Sequence, residues 1–319
     1  MSPRSLLGML DLAPEEVLGL LDDAARLRAA RPALVAGGTP DATLRGRTVA
    51  LIFEKPSTRT RVSFEVAVAE LGGTPLPLSA ADLQLGRGET VEDTGRVLGR
   101  YVQALVVRTF GQGRLRALAD ASGLPVINAL TDSEHPCQAL ADLLTVRDEF
   151  DGFDGRTLTY VGDGNNVAHS LLLGAAAVGL GVRVAHPEGY APDPAVVAAA
   201  RDLARPHGSE VTVTDDPLAA ARGADALYTD VWTSMGQEEE SARRLRDFAG
   251  YQLDARLLAA AADGAIVLHC LPAHRGEEIS AEVLDGPASR VLDQAENRLH
   301  VQKAVLAAFV GGASTAVPA

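Results

Sequence analysis

Residues Phe53-Glu54-Lys55-Pro56-Ser57-Thr58-Arg59-Thr60-Arg61 place two hydroxyls and a guanidinium just ahead of a helical pattern. Free backbone N–H groups at a helix start favour an anion, and Ser and Thr hydroxyls add donors. Arg59 can fork onto two phosphate oxygens, which a lysine cannot do. Taken alone, the segment also reads as an ordinary Ser/Thr cap with solvated arginines. His135-Pro136-Cys137-Gln138 opens a second helix, and its His and Gln can reach one carbonyl or amide; a His satisfying loop backbone is the plainer reading. Gly162-Asp163-Gly164-Asn165-Asn166 resembles a nucleotide-binding turn but lacks the full glycine fingerprint, with Val167 where a glycine would fall. Asp230-Val231-Trp232-Thr233-Ser234-Met235-Gly236 offers a carboxylate and a hydroxyl in one loop, or simply a loop with an aromatic anchor. His269-Cys270-Leu271-Pro272 ends an apolar run, where a thiol is either packed or reactive.

Each segment follows a strand-like run, and most precede a helix. Buried-strand runs are expected at Thr48–Phe53, Ala104–Val107, Pro125–Asn128, Leu158–Val161, Val182–His186, Glu210–Val213, Asp225–Thr229 and Ile266–His269. Helical spacing covers Pro14–Leu27, Thr60–Leu71, Pro136–Phe150, a long stretch from Asn166, and Ala295–Val310. Strands alternating with helices predict an α/β protein with parallel sheets covered on both faces. The two strand sets predict two such domains with a boundary near residues 135–155. Chemistry is then expected in the loops at the strand ends.

Composition narrows the function class. The chain has 319 residues, 47% of them hydrophobic and 22% charged, with a net charge of -13. That excludes a disordered or fibrous chain and disfavours nucleic-acid binding. It leaves room for a local arginine cluster that binds an anion, because salt screens the distant charge. Of the 29 lysines and arginines only Lys55 and Lys303 are lysines, as genome composition bias would give. Two cysteines, Cys137 and Cys270, form no disulfide framework and fit no zinc spacing, so reduced thiols in a reducing, cytoplasmic compartment are expected. No run is long enough for a membrane span, and no signal peptide is expected.

Together these segments resemble the aspartate/ornithine carbamoyltransferase family, and within it the ornithine branch. The likeness runs from Leu6–Val17 to the final helix. Ser57-Thr58-Arg59-Thr60-Arg61 and His135-Pro136-x-Gln138 are similar to the carbamoyl-phosphate motifs of the family. Asp230-x-x-x-Ser234-Met235-Gly236 and His269-Cys270-Leu271-Pro272 are similar to those of the ornithine branch. Gln84, Arg108, Asn166 and Arg298 also match family positions. Gly88 stands where relatives often carry lysine, and Ala13 where a Ser/Thr cap is usual.

The resemblance implies two doubly wound parallel-sheet domains with the active site in the cleft between them. A carbamoyl-phosphate-binding domain would span residues 1–134 and be rejoined by the C-terminal helix 299–319. A linking helix would span 135–150, and an ornithine-binding domain 151–298. The implied reaction, in arginine metabolism, moves the carbamoyl group of carbamoyl phosphate to the δ-amine of L-ornithine, giving L-citrulline and phosphate. Carbamoyl phosphate would be held by Ser57, Thr58, Arg59, Thr60, Gln84, Arg108, His135, Gln138, Cys270, Leu271 and Arg298. Ornithine would be held by Asn166, Asp230, Ser234 and Met235. His135, Arg298, Asp230 and Cys270 would serve catalysis, with no metal and no organic cofactor. The family assembles as homotrimers or multiples of them, and its loop near Gln84–Glu89 reaches a neighbouring subunit. Other acceptors (aspartate, acetylornithine, putrescine) and a non-catalytic anion- or nucleotide-binding α/β protein are the alternatives.

Overall fold

Thr48–Phe53 (β1) is the first strand, and all but its opening residue are buried. Thr74–Ser79 (β2), Ala104–Arg108 (β3) and Val126–Leu130 (β4) complete a four-stranded parallel sheet in the order β2-β1-β3-β4. A second parallel sheet contains Thr157–Val161 (β5), Gly181–Ala185 (β6), Val211–Thr214 (β7), Ala226–Thr229 (β8) and Ile266–His269 (β9), in the order β7-β6-β5-β8-β9. These coordinates are a computed structural model, and they describe residues 3–39, 41–79, 83, 88–233 and 238–311.

The chain divides into two compact units. The first runs to Leu140 and resumes at Asn297; the second is Ala141–Glu296. Helices of the first unit are Pro14–Val35 (α1), Thr58–Glu70 (α2), Val91–Leu98 (α3) and Gln112–Ser122 (α4). Pro136–Phe150 (α5) leaves the first unit for the second. Within the second lie Asn166–Ala177 (α6), Pro194–Ala204 (α7), Pro217–Ala221 (α8), Ser241–Asp247 (α9), Ala255–Ala260 (α10) and Ala281–Leu284 (α11). Val291–Val310 (α12) carries the chain back to the first. No helix among the described residues is long and apolar enough to cross a membrane.

Both sheets reverse their strand order, between β1 and β3 in the first and between β5 and β8 in the second. At such a point the loops leaving two neighbouring strands part to opposite faces and open a crevice for ligand. Residues 54–61 and Arg108–Phe110 leave the first crevice, and Gly162–Asn166 and Asp230–Thr233 leave the second. Apolar side chains fix each sheet from below: Ile52, Leu105, Val107 and Val126 in the first, Val161, Leu227, Val267 and Ile279 in the second.

Three local outcomes depart from the sequence expectations. Strand β2 reads poorly because Pro75 and Pro77 interrupt it. It is an edge strand, and the prolines alternate with Thr74, whose N–H donates to the Arg47 carbonyl; the missing donors face away from the ladder. Helix α2 starts at Thr58, because the Ser57 side chain accepts from the Thr60 N–H and caps it. Ala13 offers α1 no side-chain cap, yet Glu16 accepts the Ala13 N–H at 2.8 Å, the other half of a capping box.

Gly164 is held where no side chain fits: an added Cβ would lie 2.2 Å from the Pro192 nitrogen and 2.4 Å from the Ala191 carbonyl carbon. Its own N–H donates to the Tyr190 carbonyl at 2.8 Å. Both neighbours are backbone, so Gly164→Ala must move a loop and is expected to cost about 3 kcal/mol in urea denaturation. Gly113, inside α4 with nothing near its Cβ position, is the contrast; Gly113→Ala should stabilise by about 0.5–1 kcal/mol. Equal denaturation midpoints for the two variants would refute the close packing at Gly164.

Candidate active site

The first unit gathers positive and donor groups at the ends of β1 and β3. Ser57 is half-buried, and its hydroxyl donates to Thr60 Oγ1 at 3.0 Å. Thr60 is fully buried and also accepts from Arg298 Nη2 at 2.8 Å, across 238 residues of chain. Thr58 and Arg59 are exposed on the first turn of α2, and Arg59 makes no ion pair among the described residues. Arg108 ends β3 in register with Phe53 and is buried. His135 stands just before α5, its carbonyl accepting from Gln138 N–H at 3.0 Å. His135 and Gln138 are both buried.

The electrostatics of this cluster favour an anion. Burial drives the His135 ring well below its ordinary pKa, and the Arg298 and Arg108 guanidiniums push it further down. The imidazole is therefore neutral at pH 7 and can donate one hydrogen bond without adding charge. Cys137, two residues on, is buried with its thiol pushed up to about 12, so it is packing and not a nucleophile.

Two contacts that the sequence did not suggest brace the loops. Lys55 Nζ lies 2.5 Å from Asp132 Oδ1 and 4.4 Å from the centre of the Phe110 ring, tying the loops after β1, β3 and β4 to one ammonium. Glu54 takes Arg114 Nε and Nη2 at 3.0 and 2.7 Å on one oxygen and the Thr109 hydroxyl on the other. Lys55, one of two lysines among 27 arginines, was the signal the sequence offered.

The second unit has the opposite character. Asp230 follows β8 and is buried, with Oδ1 accepting from Cys270 Sγ at 2.9 Å and Oδ2 from Asn165 Nδ2 at 2.9 Å. Cys270 follows β9 and is partly exposed. His269 accepts the Leu271 N–H on Nδ1 at 2.8 Å, which leaves Nε2 to donate to Glu278 Oε1 at 3.1 Å. The His269 N–H donates to Gln294 Oε1, and Gln294 Nε2 donates to Asp142 Oδ1 at 2.6 Å. Behind Asp230 the buried Tyr160 and Tyr228 rings stack at 5.7 Å, and desolvation with nearby Asp230 holds both hydroxyls protonated.

Of the expected site residues, the structure places Ser57, Thr58, Arg59, Thr60, Arg108, His135, Gln138 and Arg298 in the first unit. Asn166, Asp230, Cys270 and Leu271 lie in the second. Gln84, Ser234 and Met235 lie outside the described residues. Asn165, one position before the expected Asn166, makes the contact to Asp230. Asp230, His269 and Cys270 bring three potential ligand atoms within 4.8 Å of one another, but the Cys270–Asp230 and His269–Glu278 hydrogen bonds already engage them.

Residues 4–148 match the family model described as the carbamoyl-P binding domain of aspartate/ornithine carbamoyltransferase, and residues 154–309 match its Asp/Orn binding domain. The chain belongs to the aspartate/ornithine carbamoyltransferase family. Family relatives include an ornithine carbamoyltransferase from Acidothermus cellulolyticus, 60% identical over 97% of both chains. Another, from Gloeobacter violaceus, is 62% identical over 85% of this chain and 87% of its own. Among solved structures, ornithine carbamoyltransferase from Pyrococcus furiosus matches with a TM-score of 0.93 at 48% identity, covering 98% of each chain. The two matched segments carry the two residue clusters described above, apart from Arg298. That arginine falls within the Asp/Orn-domain match but packs in the first unit.

The buried neutral His135 has a measurable signature. In the unfolded chain a histidine titrates near 6.5, whereas the folded ring resists protonation. Below pH 6.5 the unfolded chain therefore binds a proton that the folded chain does not, and stability falls as pH falls. The slope from this group is about 1.4 kcal/mol per pH unit. His135→Gln should flatten the decline in unfolding free energy between pH 6.5 and 5. Parallel curves for the two proteins would remove the neutral, buried imidazole.

Proposed function

We propose that this chain transfers the carbamoyl group of carbamoyl phosphate to the δ-amine of L-ornithine, releasing L-citrulline and phosphate. The observation that carries the acceptor is Asp230, a buried carboxylate bridged by Cys270 and Asn165 in the unit matched to the Asp/Orn-binding domain. It offers a partner for the α-ammonium of an amino acid. The segment Asp230–Gly236 contains no Arg or Lys, so it has no cation for a second carboxylate such as aspartate carries. Juxtaposed like charges in a desolvated site cost several kcal/mol.

The division of work follows charge. Ser57, Thr58, Arg59, Thr60 and Arg108 hold the phosphate through the α2 N-terminus, hydroxyls and guanidiniums. His135, Arg298 and the Thr58 hydroxyl stabilise the oxyanion that develops as the carbonyl becomes tetrahedral, while Gln138 takes the carbamoyl amide. Cys270 and Leu271 meet the carbamoyl end, and Gln84 completes the phosphate contacts. Asn166 serves the ornithine α-carboxylate, with Ser234 and Met235 against the amino-acid end.

The amine must attack unprotonated. At a lysine-like pKa near 10.4, losing its proton at pH 7.4 costs about 4 kcal/mol. Asp230 and Cys270 orient the neutral amine. Its nitrogen bonds to the carbonyl carbon, the bond from that carbon to the phosphate oxygen breaks, and the departing phosphate takes the proton. Positioning and charge stabilisation supply the rate. The domain reading follows: residues 1–134 with 299–319 take carbamoyl phosphate, 151–298 take ornithine, and 135–150 link them. The active assembly is a homotrimer or a multiple of it.

Citrulline should form from carbamoyl phosphate and ornithine, and no carbamoylaspartate from aspartate under the same conditions. Equal use of aspartate would overturn the acceptor. Arg59→Lys should lower kcat/KM for carbamoyl phosphate at least a hundredfold with the fold intact, because a point charge cannot reproduce two parallel hydrogen bonds; near-normal kinetics would take Arg59 out of the site. Light scattering should give a trimer or a multiple, and a fully active monomer would refute the assembly.

A further inference from the structure

We infer that Asn165 is a positioning residue for the acceptor half of the reaction: it fixes the rotation of the Asp230 carboxylate so that one oxygen stays turned toward Cys270. The inference rests on the reading of Asp230 as the acceptor's partner. Asn165 divides its side-chain amide between two tasks. Oδ1 caps α6, accepting from Val167 N–H at 2.9 Å and Ala168 N–H at 3.2 Å. Nδ2 donates to Asp230 Oδ2 at 2.9 Å. The cap decides which way the amide points, since only the oxygen can accept from the helix. The nitrogen is then directed at Asp230 by the geometry of the helix start.

Asp230 Oδ2 is thereby occupied, and Oδ1 is the oxygen that accepts the Cys270 thiol at 2.9 Å. Among the described titratable neighbours, His269 lies within 4.8 Å of Asp230 and Cys270 but has its ring nitrogens engaged by Glu278 and the Leu271 N–H, which leaves Asn165 as the donor on this side. Tyr160, on β5, puts its hydroxyl 3.4 Å from Asn165 Oδ1. Tyr228, on β8, stacks on Tyr160. Asp163, in the same loop as Asn165, is tied at 2.6 Å to the buried Arg244 of α9. The loop backbone cannot relax around the amide, because Gly164 is pressed against the Ala191–Pro192 backbone. A rigid loop, a helix cap and one donor therefore set the carboxylate's orientation.

Two substitutions separate this role from the cap. Asp and Ser both cap helices well, so N165D and N165S retain an acceptor for Val167 and Ala168 and lose the donor toward Asp230. N165D also places a second carboxylate against the first, and the added negative charge opposes ionisation of the Cys270 thiol that bonds Asp230. Steady-state kinetics, thermal melting and the pH dependence of Cys270 alkylation by iodoacetamide are measured on wild type and both variants. Expected for N165D are a rise in ornithine KM of tenfold or more, carbamoyl-phosphate KM within twofold of wild type, and a melting temperature near wild type. The midpoint of the alkylation profile should rise by at least half a pH unit. N165S should raise ornithine KM less and leave that midpoint closer to wild type. Unchanged ornithine KM and alkylation profile in N165D would overturn the inference, as would a loss confined to melting temperature or spread evenly over both substrates. The alkylation profile needs no turnover. If wild type makes no citrulline, the acceptor reading fails, while an unshifted thiol profile fails the Asn165 contact itself.

Discussion

Positive charge removed from water is the condition around which the first unit is built. Arg108 and Arg298 are both buried, and the imidazole between them in the electrostatic sense is held neutral. Two guanidiniums in a protein interior are tolerable when hydrogen-bonded and strongly favour an incoming anion. Everything nearby serves that arrangement. Thr60 accepts from Arg298, Ser57 caps the helix that exposes Arg59, and Lys55 with Glu54 fastens the loops. The chain as a whole carries a net charge of -13, so the anion site is a local reversal of a global field. With a screening length near 8 Å at physiological salt, the local groups decide.

The second unit solves the complementary problem. The side chains that follow its strands are mainly carboxyl groups, each held by named donors: Asp230 by Cys270 and Asn165, Asp163 by Arg244, Glu278 by His269 and the His274 N–H. A unit suited to an anion and a unit suited to a cation are what a group transfer from an acyl phosphate to an amine calls for. Both units reach it with the same device, a reversal of strand order in a parallel sheet.

Much of this was legible in the sequence, and the omissions have physical causes. The strand runs at Thr48–Phe53 and Ile266–His269 stood out because both faces of those strands are buried, which leaves no polar alternation. Strand β2 was missed because its prolines are harmless only on an edge, and edge position is a tertiary fact. The spacing of Ser57, Thr58 and Arg59 announced an anion site by itself. Arg298 did not, since the Thr60 hydroxyl it donates to lies 238 residues away, and only the family likeness supplied it. Of the pair Asn165-Asn166, no spacing argument says which amide turns toward Asp230; the helix cap does. The contribution of Gln84, Ser234 and Met235 stays with the family likeness, as they lie outside the described residues.

The order of the units along the chain imposes an order on their making. A ribosome delivers the second unit in one continuous piece, complete once Glu296 has been added. The first unit waits for the return of α12, and Thr60 meets its Arg298 donor only after 238 further residues have been polymerised. At about 5–20 residues per second that delay is roughly 12 to 48 s. Throughout it the nascent chain holds β1, Ser57 and Arg59 without the arginine that finishes the cluster. A product stalled before Arg298 can therefore carry a complete second unit and still lack the arginine of the anion cluster, so competence for the anion comes after the second unit rather than before it.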